Sequence, residues 1–295
     1  SFAEVKALDN FYQTSSFFPM PVVLVSSLTE TGATNLGPYS LCFPHIVAGR
    51  HSMMLIARDT SNTARNIQER KHCALNFVPH RRRFMKNCVT LGFPGETTEE
   101  KMRNSIFTLE QSRRVPGDGD RFPEIVREAA QVFECTWDDS FPLTYFEGEQ
   151  ERRFVLRIEK IHLKPRLRDA LVRGRCSPDL PVDYGFRDNS RFWLSRHARP
   201  YSEPIPRSKG VTVDAVKYAV QRVDPDVRWQ EEACAKLVRV PRPFMTMAIR
   251  ACVCEEHKLT WHALRQALLN DFQGQEALRQ MLVHSAPRFG NDEEE

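Results

Sequence analysis

The sequence has 295 residues, of which 41% are hydrophobic and 27% are charged, with a formal net charge of +4. This ordinary globular composition is enough for one large core or a core plus a smaller unit, and it says little about partners. No apolar run reaches the roughly eighteen residues of a membrane span, and the N-terminus SFAEVKALDN lacks the basic and apolar regions of a signal peptide. We therefore expect a cytoplasmic protein with no membrane partner.

Short apolar runs dominate the first two thirds of the chain. PVVLVSSL (21–28), SMMLIAR (52–58) and CALNFV (73–78) each predict a strand, the first of them buried on both faces. RFVLRIEKIHLK (153–164) alternates with period two and changes phase after Ile158, which predicts a strand with a bulge.

Polar segments between these runs predict helices. TSNTARNIQERK (60–71) is typical of a brief helix capped by Thr60. TTEEKMRNSIFTLEQS (97–112), with Thr97 or Thr98 as its cap, and FPEIVREAA (122–130) also look helical.

The composition changes after RPYSEPIPRSKG (199–210), whose prolines and glycine mark a boundary near residue 208. We expect one domain over residues 1–207 and a small helical domain over residues 208–295, which ends in the disordered acidic tail NDEEE. The helical spacing in that domain is carried by Phe244, Met247, Ala248, Ala251 and Cys254, and then by Trp261, Leu264, Leu268 and Phe272.

Two polar clusters have simpler structural explanations than function. Cys252, Cys254, His257 and His262 have metal-ligand chemistry, but Cys254 lies in phase with the apolar helix face and no second cysteine pair completes a tetrahedral set. We expect no metal site, and we expect all eight cysteines to be reduced thiols. HRRRF (80–84) lacks interleaved aromatics, so a solvated loop is favoured over a nucleic-acid surface, and no nucleic-acid partner is expected.

The segment GATNLGPYSLC (32–42) has the chemistry of a binding turn. Gly32 suits the positive φ of a turn, and Gly37 and Pro38 interrupt regular strand pairing, which leaves backbone amides available. A flat heterocycle with carbonyl oxygens is one partner for such amides. An ordinary hairpin loop, whose asparagine caps its own turn, is the alternative.

The segment ARDTSNTARNI (57–67) leaves a predicted strand and enters a predicted helix. A helix start offers unpaired amides and a positive dipole end, and Arg58, Arg65 and nearby hydroxyls complete a candidate phosphate site. Asp59 repels a phosphate, so we expect its carboxylate to cap the helix or to orient Arg58. A capped helix with solvent-facing arginines is the alternative.

Both segments lie in longer stretches that resemble, in order and spacing, the flavin reductase-like, FMN-binding split-barrel family, in its flavoredoxin-like branch. These stretches are PVVLVSSLTETGATNLGPYSLC (21–42), LIARDTSNTARNIQERKHCALNFV (55–78) and FPEIVREAAQVFEC (122–135). The resemblance covers about residues 15–200. It implies a mainly β fold, a six-stranded antiparallel Greek-key split barrel with peripheral helices, that dimerises and binds FMN near the subunit interface.

The resemblance also implies the binding residues. Asn35, Leu36, Gly37, Pro38, Tyr39 and Ser40 would lie along the isoalloxazine, and Arg58, Asp59, Thr60 and Asn66 would lie around the ribityl chain and phosphate. Tyr39 is bulkier than the small residues of some relatives, so its ring either stacks on the flavin or narrows the site.

The resemblance implies an FMN-dependent oxidoreductase that accepts hydride from NADH or NADPH. The electrons would pass to free flavin or to a partner oxidoreductase or monooxygenase, and no catalytic side chain is demanded because the cofactors carry the hydride. Two alternatives are an FMN-carrying electron-transfer or interaction protein without its own nicotinamide site, and a related barrel that binds haem or pyridoxal phosphate.

The C-terminal segment VRWQEEACAKLVRVPRPFMTMAIRACVCEEHKLTWHALRQA (227–267) is faintly similar to the small helical C-terminal domain of a light-independent protochlorophyllide reductase subunit. The similarity transfers no chemistry. The helical unit would cover the flavin, extend the dimer, dock a partner or simply stabilise the fold.

Overall fold

The chain divides into two compact units in the computed structural model. The first unit is made of residues 1–167 and 177–200, and the second of residues 168–176 and 201–295. The structure describes residues 19–47, 50–92, 97–112, 121–141, 150–172, 180–186, 191–196, 211–223 and 229–253. The boundary predicted near residue 208 lies outside these described residues.

The first unit is built mainly from strands. The strands are β1 Met20–Pro21, β2 Val23–Leu28, β3 Thr34–Tyr39, β4 Cys42–Ile46, β5 Ser52–Arg58, β6 His72–Phe77, β7 Leu109–Glu110, β8 Ile125–Val126, β9 Gln131–Trp137, β10 Glu151–Leu163, β11 Pro181–Phe186 and β12 Phe192–Arg196. The helices of this unit are α1 Asn62–Arg70, α2 Arg82–Leu91 and α3 Thr98–Arg103, and α4 Pro165–Val172 begins in the first unit and ends in the second.

Seven strands form one antiparallel sheet in the order β3-β2-β6-β9-β10-β5-β4. Its two edge strands, β3 and β4, follow each other in the chain and are joined only by residues 40–41. The carbonyl of Leu41 accepts a hydrogen bond from Ile56 N at 2.9 Å, so the pairing of β4 with β5 extends into this connection. The sheet therefore curls into a half-barrel, and it has the predicted six strands when β3 and β4 are counted as one bent strand. The expected mainly β split-barrel fold is confirmed.

Both faces of the sheet are buried. Val23 and Val25 of β2 pack into one apolar cluster with residues of β5, β6, β9 and β10, whereas Leu24 packs into a second cluster with α2. All three side chains have 0% exposure. Because successive residues of a strand point to opposite faces, this burial shows that both faces of β2 are covered. The prediction of a strand buried on both faces is confirmed for 23–28.

The long strand β10 shows the predicted bulge. Its pairing with β9 shifts register between Ile158 and Lys160, where the hydrophobic pattern changes phase. The shift lets the strand continue to pair with β9 as far as Leu163.

Two helix predictions in the first unit need correction. Residues 122–130 are not helical: β8 pairs with β7, and Val126 N donates to the buried Asn76 Oδ1 at 2.8 Å, so tertiary hydrogen bonds override the local helical pattern. The helix expected over 97–112 is only α3, capped by Thr97 as predicted. It ends at Asn104 because Asn87 binds the carbonyl of Asn104 at 2.7 Å and the amide of Ile106 at 3.1 Å.

The second unit is helical where the structure describes it. Its helices are α5 Val213–Val223, α6 Glu231–Leu237 and α7 Arg242–Val253. They share an apolar cluster that includes Val216, Val220, Cys234, Ala248 and Ile249, so the helical prediction over 244–253 is confirmed. The predicted helix around Trp261 lies outside the described residues. In the described parts of both units, no helix has the length and apolarity of a membrane crossing.

Candidate functional site

The structure brings strand β3 against the first turn of α1. Asn35 Nδ2 donates to Thr63 Oγ1 at 3.3 Å, and the Tyr39 hydroxyl donates to Ser61 Oγ at 3.2 Å. We call the contact made by Asn35, Gly37 and Tyr39 with Ser61 and Thr63 the β3–α1 interface. The two segments singled out in the sequence therefore meet at one place.

Ser61 caps the start of α1. The prediction that Thr60 is the cap is wrong. Ser61 has extended backbone angles, and its Oγ accepts from Ala64 N at 3.1 Å, which is the usual bond from the third helical residue to an N-cap. Thr60 is exposed one residue earlier. The first turn contains no acidic residue, so nothing there neutralises the positive end of the helix dipole.

Gly37 permits the close approach of β3 and α1. A Cβ atom at this position would lie 2.7 Å from Thr63 Oγ1 and 2.9 Å from Tyr39 Cε2. Both distances are shorter than a normal van der Waals contact, so a larger residue would push the strand away from the helix. The glycine is thus required here by space, and not by a positive φ.

A buried group of polar side chains lies behind the interface. Asn35 is fully buried, and its Nδ2 also lies 3.5 Å from Ser27 Oγ, which accepts a bond from Asn66 Nδ2 at 3.0 Å. Asn35 Oδ1 has no hydrogen-bond partner. Because an unpaired buried acceptor costs free energy, this atom marks a place where a hydrogen-bond donor is missing.

The burial of Tyr39 affects its acidity. Desolvation raises the pKa of its phenol above the ordinary value, and hydrogen bonds with Ser61 and Thr63 oppose that rise. The phenol is therefore neutral at physiological pH and available as a hydrogen-bond donor.

The predicted residues of β3 do not all face α1. Asn35, Gly37 and Tyr39 do so, but Leu36 points into the opposite apolar cluster with Leu24. Pro38 lies on that same side, against Gly92 at the end of α2. The pleat of the strand divides the run that the resemblance assigned to one ligand, because neighbouring side chains point to opposite faces.

The residues between β5 and α1 are more open than those of β3. Arg58 and Thr60 are exposed, and Asp59 is half-buried. Ser61 N donates to the carbonyl of Arg58 at 3.0 Å, which forms the tight turn that leads from the strand into the helix. Asp59 does not cap the helix, because Ser61 takes that role.

A cleft lies at the other end of α1. It has a volume of about 750 Å³ and includes Gly32 and Trp137 in its lining. Its charged residues are Glu30, Glu69, Arg70, Lys71, Arg121 and Asp139. None of the ten residues assigned to FMN by the resemblance lines this cleft.

The sequence pattern predicted Ser61 as one of the hydroxyls beside the helix start, but it did not indicate Ser27 or Thr63 as members of the candidate site. The triplet Ser61-Asn62-Thr63 carried a usable signal, because a serine three residues before the first buried helical alanine is an N-cap pattern. Ser27 gave no such signal, since its position beside Asn35 comes from the pairing of β2 with β3.

The cysteine and histidine cluster considered as a metal site is described only in part. Cys252 is exposed on α7, while Cys254, His257 and His262 lie outside the described residues. Where the structure describes the chain, no three His, Cys, Asp or Glu side chains are arranged to hold a metal ion.

Two solved structures share the fold of the first unit. Pseudomonas fluorescens 2-nitrobenzoate 2-nitroreductase NbaA superposes with a TM-score of 0.53 at 19% identity, covering 70% of this chain and 96% of that chain. Nitrilotriacetate monooxygenase component B from Bacillus cereus superposes with a TM-score of 0.51 at 15% identity, covering 69% of this chain and 100% of that chain. At these identities the similarity establishes the fold.

The sequence comparisons add one local match. A family model described as pyruvate formate lyase-like matches residues 246–295, most of which lie outside the described residues. This is a different family from the protochlorophyllide reductase subunit suggested by the sequence, so that resemblance stays a prediction. No curated protein matches the chain.

Proposed function

We propose that the first unit binds FMN at the β3–α1 interface and that the protein is an FMN-dependent oxidoreductase that accepts hydride from NADH or NADPH. The observation that carries this proposal is the convergence of β3 with the capped start of α1, which joins the two segments that the resemblance assigns to the flavin. Ser61 and Thr63 of the helix start contact Tyr39 and Asn35 of the strand at 3.2 and 3.3 Å.

The residues at this interface fit the two chemical ends of FMN. The phosphate end suits the first turn of α1, where the helix dipole, the Ser61 hydroxyl and the exposed Arg58 all favour an anion. The ring and ribityl end suit β3, where Asn35 Oδ1 is a buried acceptor without a partner. The ribityl hydroxyls and the ring N–H are donors of the kind this atom lacks.

The roles of the side chains follow from this assignment. Bound FMN supplies the hydride-accepting ring, so the protein has to bind and orient the cofactor and needs no acid, base or nucleophile of its own. Arg58 would hold the phosphate by charge, Ser61 and Thr60 would donate hydroxyl hydrogen bonds, and Asn66 would keep Ser27 in place beside Asn35.

The electron acceptor is proposed to be free flavin or a partner oxidoreductase. One structural neighbour, component B of a monooxygenase, supports a partner protein as the acceptor. A homodimer is proposed on the resemblance alone, and light scattering during size-exclusion chromatography measures it directly.

The deciding experiment is a flavin titration followed by anaerobic reduction. Purified protein should quench FMN fluorescence on binding, and mixing the complex with NADH or NADPH under anaerobic conditions should bleach the flavin absorbance. Binding without bleaching would favour the FMN-carrying protein that lacks a nicotinamide site. A protein that neither contains nor binds FMN would refute the proposal, and its absorption spectrum would reveal haem or pyridoxal phosphate instead.

A further inference from the structure

Tyr39 occupies the space between the two halves of the candidate site. A Cβ atom at position 37 would lie 2.9 Å from Tyr39 Cε2, so the tyrosine ring has room only because residue 37 is a glycine. The ring therefore lies against the backbone of its own strand. From there the hydroxyl reaches Ser61 Oγ at 3.2 Å across the interface. The ring therefore lies between β3 and the first turn of α1.

The Ser61 hydroxyl already has two partners. Its oxygen accepts from Ala64 N at 3.1 Å, which caps the helix, and from the Tyr39 hydroxyl. A phosphate oxygen that approaches this end of α1 competes with the phenol for the same position. The phenol is neutral and the phosphate is an anion, so the helix dipole favours the phosphate once the phenol has moved.

Tyr39 is placed so that it can move. It is half-buried at the last position of β3, directly before the two-residue connection to β4. Rotation about its χ1 would carry the ring away from Ser61 without breaking any strand pairing, but it would also give up part of the ring's packing against the apolar cluster that includes Val23 and Leu55.

We propose that Tyr39 is a specificity-determining residue that closes the phosphate end of the flavin site and must be displaced when FMN binds. This inference rests on the proposed function. Each binding event has to break the contact between Tyr39 and Ser61, which lowers the affinity for FMN relative to a site without the ring. Riboflavin lacks the phosphate, so the ring of Tyr39 should hinder the binding of FMN more than the binding of riboflavin. The preference for FMN over riboflavin should therefore be smaller in the wild-type protein than in a site without the ring.

The test measures dissociation constants of FMN and riboflavin for three variants by fluorescence titration. Tyr39→Ser removes the ring, Tyr39→Phe removes only the hydroxyl, and Tyr218→Ser applies the same change to an exposed tyrosine of α5. We expect Tyr39→Ser to bind FMN about tenfold more tightly, a difference of about 1.4 kcal/mol, and to gain less than about threefold for riboflavin. Tyr39→Phe should bind FMN more tightly than the wild type does, but with a smaller increase in affinity than Tyr39→Ser. Tyr218→Ser should bind both flavins with the affinity of the wild type.

Each result decides the proposal. An FMN affinity of Tyr39→Ser equal to or weaker than that of the wild type would overturn the gating role and leave the FMN proposal standing. Equal gains for FMN and riboflavin would place the ring over the isoalloxazine and overturn its assignment to the phosphate end. If no variant and no wild-type protein binds either flavin, the proposed function fails and this inference fails with it. Circular dichroism checks the fold; should Tyr39→Ser not fold, Tyr39→Phe decides by the same FMN comparison.

Discussion

The two ends of helix α1 differ in how completely their polar groups are satisfied. At the C-terminal end, Lys71 Nζ lies 2.5 Å from Asp139 and 4.1 Å from the centroid of the Trp137 ring. Arg70 and Lys71 also complement the negative end of the helix dipole. At the N-terminal end, Asn35 Oδ1 has no hydrogen-bond partner, and the first turn of α1 contains no acidic residue, although Asp59 lies two residues before the cap.

This difference distinguishes two places on α1 where a ligand could bind. The cleft of about 750 Å³ lies at the C-terminal end and is lined by charges of both signs. At the N-terminal end, the Tyr39 hydroxyl contacts Ser61, and the first turn of α1 contains no acidic residue. Under the proposed function, the phosphate of the ligand therefore belongs at the N-terminal end.

The largest expected effect comes from forcing the N-terminal end apart. Gly37→Ala places a Cβ 2.7 Å from Thr63 Oγ1 and 2.9 Å from Tyr39 Cε2, so it should destabilise the fold by about 2 kcal/mol and weaken FMN binding. Gly92→Ala is a milder comparison, because its Cβ would lie 3.1 Å from Pro38 Cγ, a tight contact that a small shift of the proline ring relieves. Urea unfolding measures both. A Gly37→Ala protein as stable as the wild type would mean that β3 and α1 are not in close contact.

The next prediction compares the effect on FMN binding of removing an arginine from each end of α1. Arg58→Ala should weaken FMN binding about tenfold, because a charge-assisted hydrogen bond to phosphate is lost, whereas Arg70→Ala at the other end should leave binding unchanged. Both arginines are exposed, so neither change should alter the urea midpoint much. Equal losses of affinity in the two variants would indicate a general effect of net charge and contradict the assignment of the phosphate to the Ser61 end.

The features that could be predicted from the sequence are those with local causes. The buried strands and the bulge after Ile158 follow from hydrophobic alternation, which depends only on neighbouring residues. The division of β3 into residues that face α1 and residues that face α2 follows from the pleat, but only once the sheet partners are known. The replacement of the expected helix over 122–130 by β8 could not be predicted, because the hydrogen bond from Val126 N to Asn76 joins residues distant in sequence.

A smaller effect tests the C-terminal end alone. Lys71 ends α1 in the left-handed region with φ 63°, a conformation that favours glycine, and its amide binds the carbonyl of Ile67. Lys71→Ala keeps this strain and loses the contacts with Asp139 and Trp137, while Lys71→Gly loses the same contacts but relieves the strain. We expect the glycine variant to be more stable than the alanine variant by about 1 kcal/mol in urea unfolding, with FMN binding unchanged in both. Alanine being the more stable of the two would contradict the left-handed cap.

The smallest effect is the pH dependence of the same ion pair. The hydrogen bond from Lys71 lowers the pKa of the Asp139 carboxyl, with the charge of Lys71 adding to it. A carboxyl whose pKa is lower in the folded state than in the unfolded state stabilises the fold above its unfolded pKa. That contribution is lost as the pH falls through the lowered folded pKa. The stability difference between wild type and Lys71→Ala should therefore be constant from pH 7 down to about 5 and shrink below about 4, where the unfolded carboxyl takes up its proton. Unfolding curves at several pH values in constant salt measure this difference, and a gap that widens on acidification would show that Asp139 is not the group that Lys71 stabilises.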